Sequence, residues 1–182
     1  MKKNQRGVTL IALVVTIIVL LILAATAIAT LTGEDGIITN AQKAQAANIE
    51  GEVIDKMSLG YNSVYTNAMV KMSTQNGYQP SAEANVQELV NILVKEIGKD
   101  AKNEGTTAVP TDTTIKDGKY HVYYSVDGAN KTAKITILYG DGKFALKANE
   151  TPANNLYPNL KAEIELTSNS VNYKTTPTRS VK

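Results

Sequence analysis

The chain has 182 residues with no cysteine, no tryptophan, one phenylalanine and nine tyrosines, and its 19 basic residues nearly balance its 17 acidic ones. The lack of cysteine excludes a disulfide framework, thiol chemistry and lipoprotein acylation, and with His121 as the single histidine it removes a zinc site or a histidine-based nucleophilic triad. Lys2, Lys3 and Arg6 supply three of the positive charges, so a chain beginning at Val8 holds 16 basic residues against 17 acidic, too few and too scattered for a nucleic-acid surface.

Met1 to Arg6 (MKKNQR) forms a short basic leader, and Val8 to Leu31 follows as an apolar run with no charge before Glu34. Roughly 20 residues at about 1.5 Å rise each cross a bilayer, so the run is long enough to span one. Lysine and arginine ahead of it favour the cytoplasmic side and orient the chain N-in, C-out. Two readings of the run compete. Ala25-Thr26-Ala27 and Ala27-Ile28-Ala29 match the small-residue site where a secretory signal is cut, although the apolar region of such a signal is shorter, about 7–15 residues. The same alanines suit close helix–helix packing.

A basic leader, then Gly7, then Val8-Thr9-Leu10-Ile11 opening an unbroken apolar helix: this order resembles the class III signal of type IV prepilins and pseudopilins. The resemblance implies that prepilin peptidase cuts between Gly7 and Val8 on the cytoplasmic face and methylates the new amino terminus at Val8. Glycine at that place is expected to leave an extended backbone with no side chain in the peptidase's way. Further implied are self-association, or association with other pilin subunits, through helix 8–31, and a pilus assembly platform and ATPase as partners. The implied location is a single-pass inner membrane protein with a cytoplasmic N-terminus before assembly, and an extracellular filament after it. In the family the fifth mature residue is usually a glutamate that pairs with the amino terminus of a neighbouring subunit; here that position is Ala12. A carboxylate in hydrocarbon is costly and usually functional, so without it assembly rests on helix packing and on the Thr9 and Thr16 hydroxyls.

Beyond the run, Gly33-Glu34-Asp35-Gly36 reads either as a C-cap and loop or as a flexible joint, because each glycine costs a helix about 1 kcal/mol relative to alanine. A second helix is expected over residues 37–72, where Ile38, Ala41, Ile49, Val53, Met57, Gly60, Val64 and Ala68 recur at steps of three and four. Tyr61 and Tyr65, four apart, share a face. The Asn76-Gly77-Tyr78-Gln79-Pro80 stretch is a loop, and Ser81 is placed to cap a helix over residues 82–102 whose apolar face is Val86, Leu89, Val90, Leu93, Val94 and Ile97. Asn103 to Thr114 reads as a polar linker.

From Thr113 the period becomes two. Asp117-Gly118, Asp127-Gly128 and Asp141-Gly142 stand between alternating runs and predict hairpin turns in an antiparallel meander of three or four strands over residues 113–148. Tyr120, Val122, Tyr124 and Val126 share one face, as do Ile135, Ile137 and Tyr139, with Phe144 and Leu146 continuing the pattern. A further strand follows the Pro152–Pro158 excursion over residues 160–167 (Leu160, Ala162, Ile164, Leu166), and the tail from Thr175 is expected to fray. His121 falls on the opposite face and reads as a surface histidine. The Asp-Gly pairs lack the ligand spacing of a calcium loop, and no glycine-rich nucleotide fingerprint occurs. Asn130-Lys-Thr and Asn149-Glu-Thr match a glycosylation sequon of the kind that arises by chance.

These readings give an α+β fold: a long apolar N-terminal helix continuing into an amphipathic helix packed on a small antiparallel sheet, pilin-like, with an extra helix in the connection. The expected division is leader 1–7, membrane or filament-core helix 8–32 and extracellular head 33–182. The expected function is a structural, non-enzymatic subunit of a type IV pilus or related pseudopilus, with no cofactor and no metal. The alternative is a signal-anchored or secreted cell-surface binding domain that does not polymerise.

Overall fold

The computed structural model describes residues 6–33, 36–110, 115–145 and 156–177. It divides into two compact units, Met1–Gln45 and Ala46–Lys182. In chain order its elements are α1 (Arg6–Thr32), α2 (Ile37–Thr74), α3 (Glu83–Ile97), β1 (Ala101–Gly105), β2 (Lys119–Asp127), β3 (Thr132–Ala145), β4 (Leu156–Thr167) and β5 (Val171–Pro177). The fold is α+β, as expected.

In the first unit α1 is apolar all round, and its described side chains from Leu10 to Leu31 are all exposed. A break separates it from α2. Gly33 N–H donates to Ala29 C=O at 2.9 Å, and Gly36 N–H to Gly33 C=O at 2.8 Å. A Cβ on Gly36 would lie 2.5 Å from the Leu31 carbonyl oxygen and one on Gly33 2.7 Å from that of Ala29, so the crossing needs glycine at both places. Glu34 and Asp35 lie outside the described residues.

In the second unit α2 and α3 cover one face of a five-stranded sheet of order β1-β2-β3-β4-β5. The predicted α2 stripe is the buried one: Val53, Met57, Val64 and Ala68 are at most 2% exposed, whereas Ile38 and Ala41 further back are exposed. Against them lie Val86, Leu89, Val90 and Leu93 of α3 and the inward residues Tyr120, Val122, Ile135, Ile137, Leu160, Ala162, Ile164 and Leu166 of the sheet. At about 1.5–3 kcal/mol per buried aliphatic side chain, this cluster is the main source of the head's stability. Gly60 is buried, and a Cβ there would meet Leu93 Cγ at 3.3 Å, so α2 passes α3 closely at this point. Tyr61 and Tyr65 pair at 5.9 Å between ring centroids, and Tyr61 also stacks on Tyr173 of β5 at 4.7 Å.

The α3 region departs from expectation at both ends. Ser81 is buried and does not cap the helix; Ala82 holds the cap position in extended conformation, with no side-chain hydrogen bond. Asn85 Nδ2 instead donates to Gln79 C=O at 2.9 Å and closes the entry loop. The helix stops at Ile97, not at 102, because Gly98 takes φ +97° and turns the chain out. Ala101–Gly105 is then a strand, pairing parallel to β2 (Ala101↔Tyr120, Lys102↔His121, Asn103↔Val122) where the end of the helix and the start of a linker were expected. The return from β1 to β2 runs through residues 106–118, of which 111–114 lie outside the described residues; parallel pairing needs a connection of such length.

Of the three Asp-Gly pairs only Asp127-Gly128 turns a hairpin, joining β2 to β3. Asp127 Oδ1 accepts from the Ala129 and Asn130 N–H groups there, at 3.0 and 3.1 Å. Asp141-Gly142 sits inside β3, at a register shift between Gly140 and Phe144, with Gly142 at φ +69°. Asp117-Gly118 docks beside it: Gly118 N–H donates to Gly140 C=O at 2.9 Å. A Cβ on Gly142 would come 2.9 Å from Lys116 Cβ, so the second glycine makes room for the segment that carries the first. That segment covers part of the outer sheet face, where Ile115, Tyr123 and Leu138 form a second small core. Pro158 falls opposite the bulge, where no ladder donor is required, and β4 therefore starts at Leu156, earlier than the expected 160.

The tail does not fray at Thr175. Val171–Pro177 is β5, antiparallel to β4 with Ala162↔Thr175 and Leu160↔Pro177, and it adds a strand not foreseen. The parts of the meander at 113–114 and 146–148, Leu146 among them, the excursion at 152–155, the Asn149 sequon and residues 178–182 lie outside the described residues.

Candidate functional site

Leader and apolar helix form the candidate site, and α1 supplies its frame. Arg6, Gly7 and Val8 are in the first turn of α1, and Met1–Gln5 lie outside the described residues. The backbone at the Gly7–Val8 bond is therefore helical, not extended as expected. The cause is local: the apolar run propagates helix backward, and the first four N–H groups of any helix need no intrahelical acceptor. Unwinding this turn is cheap for the same reason, and Gly7 lowers the cost further by about 1 kcal/mol relative to alanine.

From Leu10 to Leu31 the helix is long and apolar enough to cross a membrane, and it is the one such helix among the described residues. Each central Leu, Ile or Val contributes about 0.3–0.6 kcal/mol to insertion, and 14 of them stand exposed along α1, enough for several kcal/mol in total. The hydroxyls are accommodated within the helix. Thr16 Oγ1 donates to Leu13 C=O at 2.8 Å, Thr26 to Leu23 at 2.9 Å and Thr30 to Ala27 at 2.9 Å. A threonine satisfied by its own helix carries no unpaired donor into hydrocarbon. In the single chain the Thr16 hydroxyl is thus paired within its own helix; the side chain of Thr9 lies outside the described ones. Ala12 is exposed, one helical turn after Val8 on the same face.

In the head one charged cluster escaped the sequence reading. His121 is 8% exposed, not at the surface, and each ring nitrogen faces a carboxylate: Nδ1 lies 2.8 Å from Glu104 Oε1 and Nε2 3.0 Å from Asp117 Oδ1. Lys102 Nζ donates to Asp117 Oδ2 at 2.9 Å. Partial burial opposes the charge on Asp117, but Lys102, His121 and the Lys119 N–H together outweigh it and hold its carboxyl down at about 2. The cluster fastens β1 to β2 and to the segment preceding β2. Lys102 and Glu104 on β1 reach Asp117 and His121 only because β1 pairs with β2, and that strand was not foreseen. On the outer sheet face Lys134 and Lys161 both reach Glu163, at 2.8 and 2.9 Å, and Lys174 reaches Glu165 at 3.2 Å. Among the described residues no group of three or more potential ligands is placed to hold a metal ion.

The family of the prokaryotic N-terminal methylation motif matches residues 2–28, the stretch containing Gly7, Val8, Ala12 and most of α1. Neither a curated protein nor a solved structure matches the chain. The motif supports a type IV pilin-like precursor processed by prepilin peptidase, and the apolar helix fits anchoring in a membrane before assembly. With the α+β head behind it, the N-terminal methylation motif and the helix it opens fit the type IV pilin and pseudopilin family.

Proposed function

We propose that this chain is a structural subunit of a type IV pilus or related pseudopilus. Prepilin peptidase cuts it at Gly7–Val8 and methylates Val8, and α1 then serves in turn as membrane anchor and as part of the filament core. The observation that carries the reading is the methylation motif at residues 2–28 opening directly into a fully exposed apolar helix. One apolar surface suits both stages: lipid covers it before extraction and neighbouring helices cover it afterwards. Cutting ahead of the helix keeps that surface on the mature chain, and losing Lys2, Lys3 and Arg6 removes the charges that hold its end in the cytoplasm. The platform protein and ATPase act at the membrane, and the head, residues 33–182, becomes the outer surface of an extracellular filament. No catalytic step by this chain belongs to the reading.

Intact mass and N-terminal sequencing of the chain isolated from producing cells test it. A start at Val8 with a methylated amine is expected. A start at Met1, or after Ala27 or Ala29, overturns the proposal in favour of a signal-anchored or secreted binding domain.

A further inference from the structure

We propose that Asn76–Gly77 is a self-modifying site, at which the folded head converts an asparagine into aspartate and isoaspartate through a succinimide. The inference concerns the head's own chemistry and does not depend on the filament reading.

Asn76 is exposed in the loop that follows α2, and among the described residues neither its side chain nor the Gly77 N–H has a hydrogen-bond partner. The turn itself is defined. Tyr78 N–H donates to Gln75 C=O at 3.2 Å and Gly77 has φ +82°, while Asn76 is not among the residues of positive φ. This is a type II turn with Asn76 second and Gly77 third. In such a turn the central amide, Gly77 N–H, points away from the closing hydrogen bond and stays available as a nucleophile. A Cβ on Gly77 would meet nothing within 4 Å, so no neighbouring group blocks approach to this nitrogen, and glycine itself adds no side chain in the way.

The step balances without any cofactor. Gly77 N loses its proton to solvent and forms a bond to Cγ of Asn76; Nδ2 takes a proton from solvent, the Cγ–Nδ2 bond breaks and the nitrogen leaves as ammonia. Water then opens the five-membered imide at one carbonyl or the other. Opening on the backbone side gives isoaspartate, with one extra atom in the main chain of the α2–α3 connection. Both products place a carboxylate just beyond the C-terminal end of α2, where the last carbonyls already carry partial negative charge.

Two other asparagines, Asn62 and Asn169, precede a serine, and in both the following N–H is tied. Ser63 lies inside α2, in the helical hydrogen-bond ladder. Ser170 N–H donates to Thr167 Oγ1 at 3.0 Å in the β4–β5 turn. The structure thus separates three chemically similar asparagines by one criterion, whether the following N–H is free.

The test is peptide mapping of the full chain in detergent micelles, incubated in mildly alkaline buffer at growth temperature. Aliquots are compared with the same chain unfolded in urea and with the Asn76→Gln variant. Expected in the folded chain is a mass gain equal to NH replaced by O, confined to the peptide with Asn76, at least ten times faster than in those with Asn62 or Asn169, and absent in the variant. Isoaspartate should appear in that peptide by enzymatic methyl transfer. The proposal is overturned if folded Asn76 persists while the urea-unfolded chain converts, or if Asn62 or Asn169 converts as fast. Isomerisation at the Asp-Gly pairs loses water and regains it, giving no mass gain to confuse the reading.

Discussion

Glu104 Oε1 and His121 Nδ1 meet at 2.8 Å across the parallel pair β1–β2, joining an edge strand to its neighbour where the edge has little apolar surface of its own. His121→Ala removes the group standing between Glu104 and Asp117 and leaves two carboxylates facing a partly buried gap. The loss is expected to be about 1–2 kcal/mol, at the lower end for a hydrogen-bonded charged group because Asp117 is 40% exposed and water screens it. The urea midpoint of the full chain in detergent, followed by tyrosine near-ultraviolet dichroism, measures it. A midpoint within error of the parent would mean that the cluster contributes nothing.

Asp117 gives the stability a defined acid dependence. Its folded carboxyl sits near 2, below the ordinary 3.8, so the folded state favours the charged form. The contribution is present above pH 4 and disappears as pH falls through the interval between 3.8 and about 2. Asp117→Asn should flatten the stability curve over that interval and cost about 1 kcal/mol or less at neutral pH, given its exposure. On the alkaline side Tyr139 is raised to about 12, by burial first and then by Asp141. Its neutral ring favours the folded state, so stability should fall again as pH rises from about 10 toward 12. Denaturation midpoints across pH test both limbs.

Most of the core could be read from periodicity, and the misses share a cause. Val53, Met57 and Val64 repeat on a helical face and Ile135 and Ile137 alternate, because each lies on an element with one face buried. β1 is Ala-Lys-Asn-Glu-Gly at a sheet edge, where little burial demands an apolar pattern, so nothing in its composition marked a strand. β5 hid for the same reason, with Val171 and Tyr173 the hydrophobic side chains it sets in or against the core. Asp117-Gly118 and Asp141-Gly142 read as hairpin turns by their sequence, but instead they lie beside each other, with Gly118 N–H on Gly140 C=O and Lys116 against Gly142, an arrangement that depends on long-range packing. At the candidate site, Gly7 and Val8 stood out by motif, whereas the helical backbone of that bond did not follow from it. His121 was misplaced because its burial rests on Glu104, a residue of the unforeseen strand.

Two glycines of α2 should respond differently to the same substitution. At Gly51 a Cβ meets nothing within 4 Å, so Gly51→Ala adds helix propensity without cost and is expected to stabilise the head by about 0.5–1 kcal/mol. At Gly60 a Cβ lies 3.3 Å from Leu93 Cγ and 3.5 Å from Ile97 Cγ1. Gly60→Ala therefore sets the same gain against a small displacement of Leu93 and should come out near zero. Gly60→Leu must push α3 away and lose about 2–3 kcal/mol. Thermal unfolding of the three variants would give this order, and a destabilised Gly51→Ala would contradict it.

Ala12 carries the sharpest prediction about assembly, and it rests on the filament reading. Cleavage at Gly7–Val8 creates a charged amine at the end of an apolar helix, and taking that amine into a helix core without a counter-charge costs several kcal/mol. Position 12 follows Val8 by four residues, one turn along the same face, which is where a carboxylate would reach the amine of an adjoining helix displaced along the axis. This chain has a methyl group there. On the filament reading it would then assemble at a disadvantage, and Ala12→Glu should raise its share of sheared filaments severalfold while leaving processing at Gly7 unchanged. The carboxylate costs about 2.5–3.5 kcal/mol at a bilayer centre and less near the helix start, so the membrane-stored pool should fall only slightly. Gly7→Leu, which keeps the leader, should cancel the gain in the double variant. Quantitative blotting of sheared and membrane fractions gives the ratio, and an unchanged ratio in Ala12→Glu would show that this subunit does not meet its neighbours through its amino terminus.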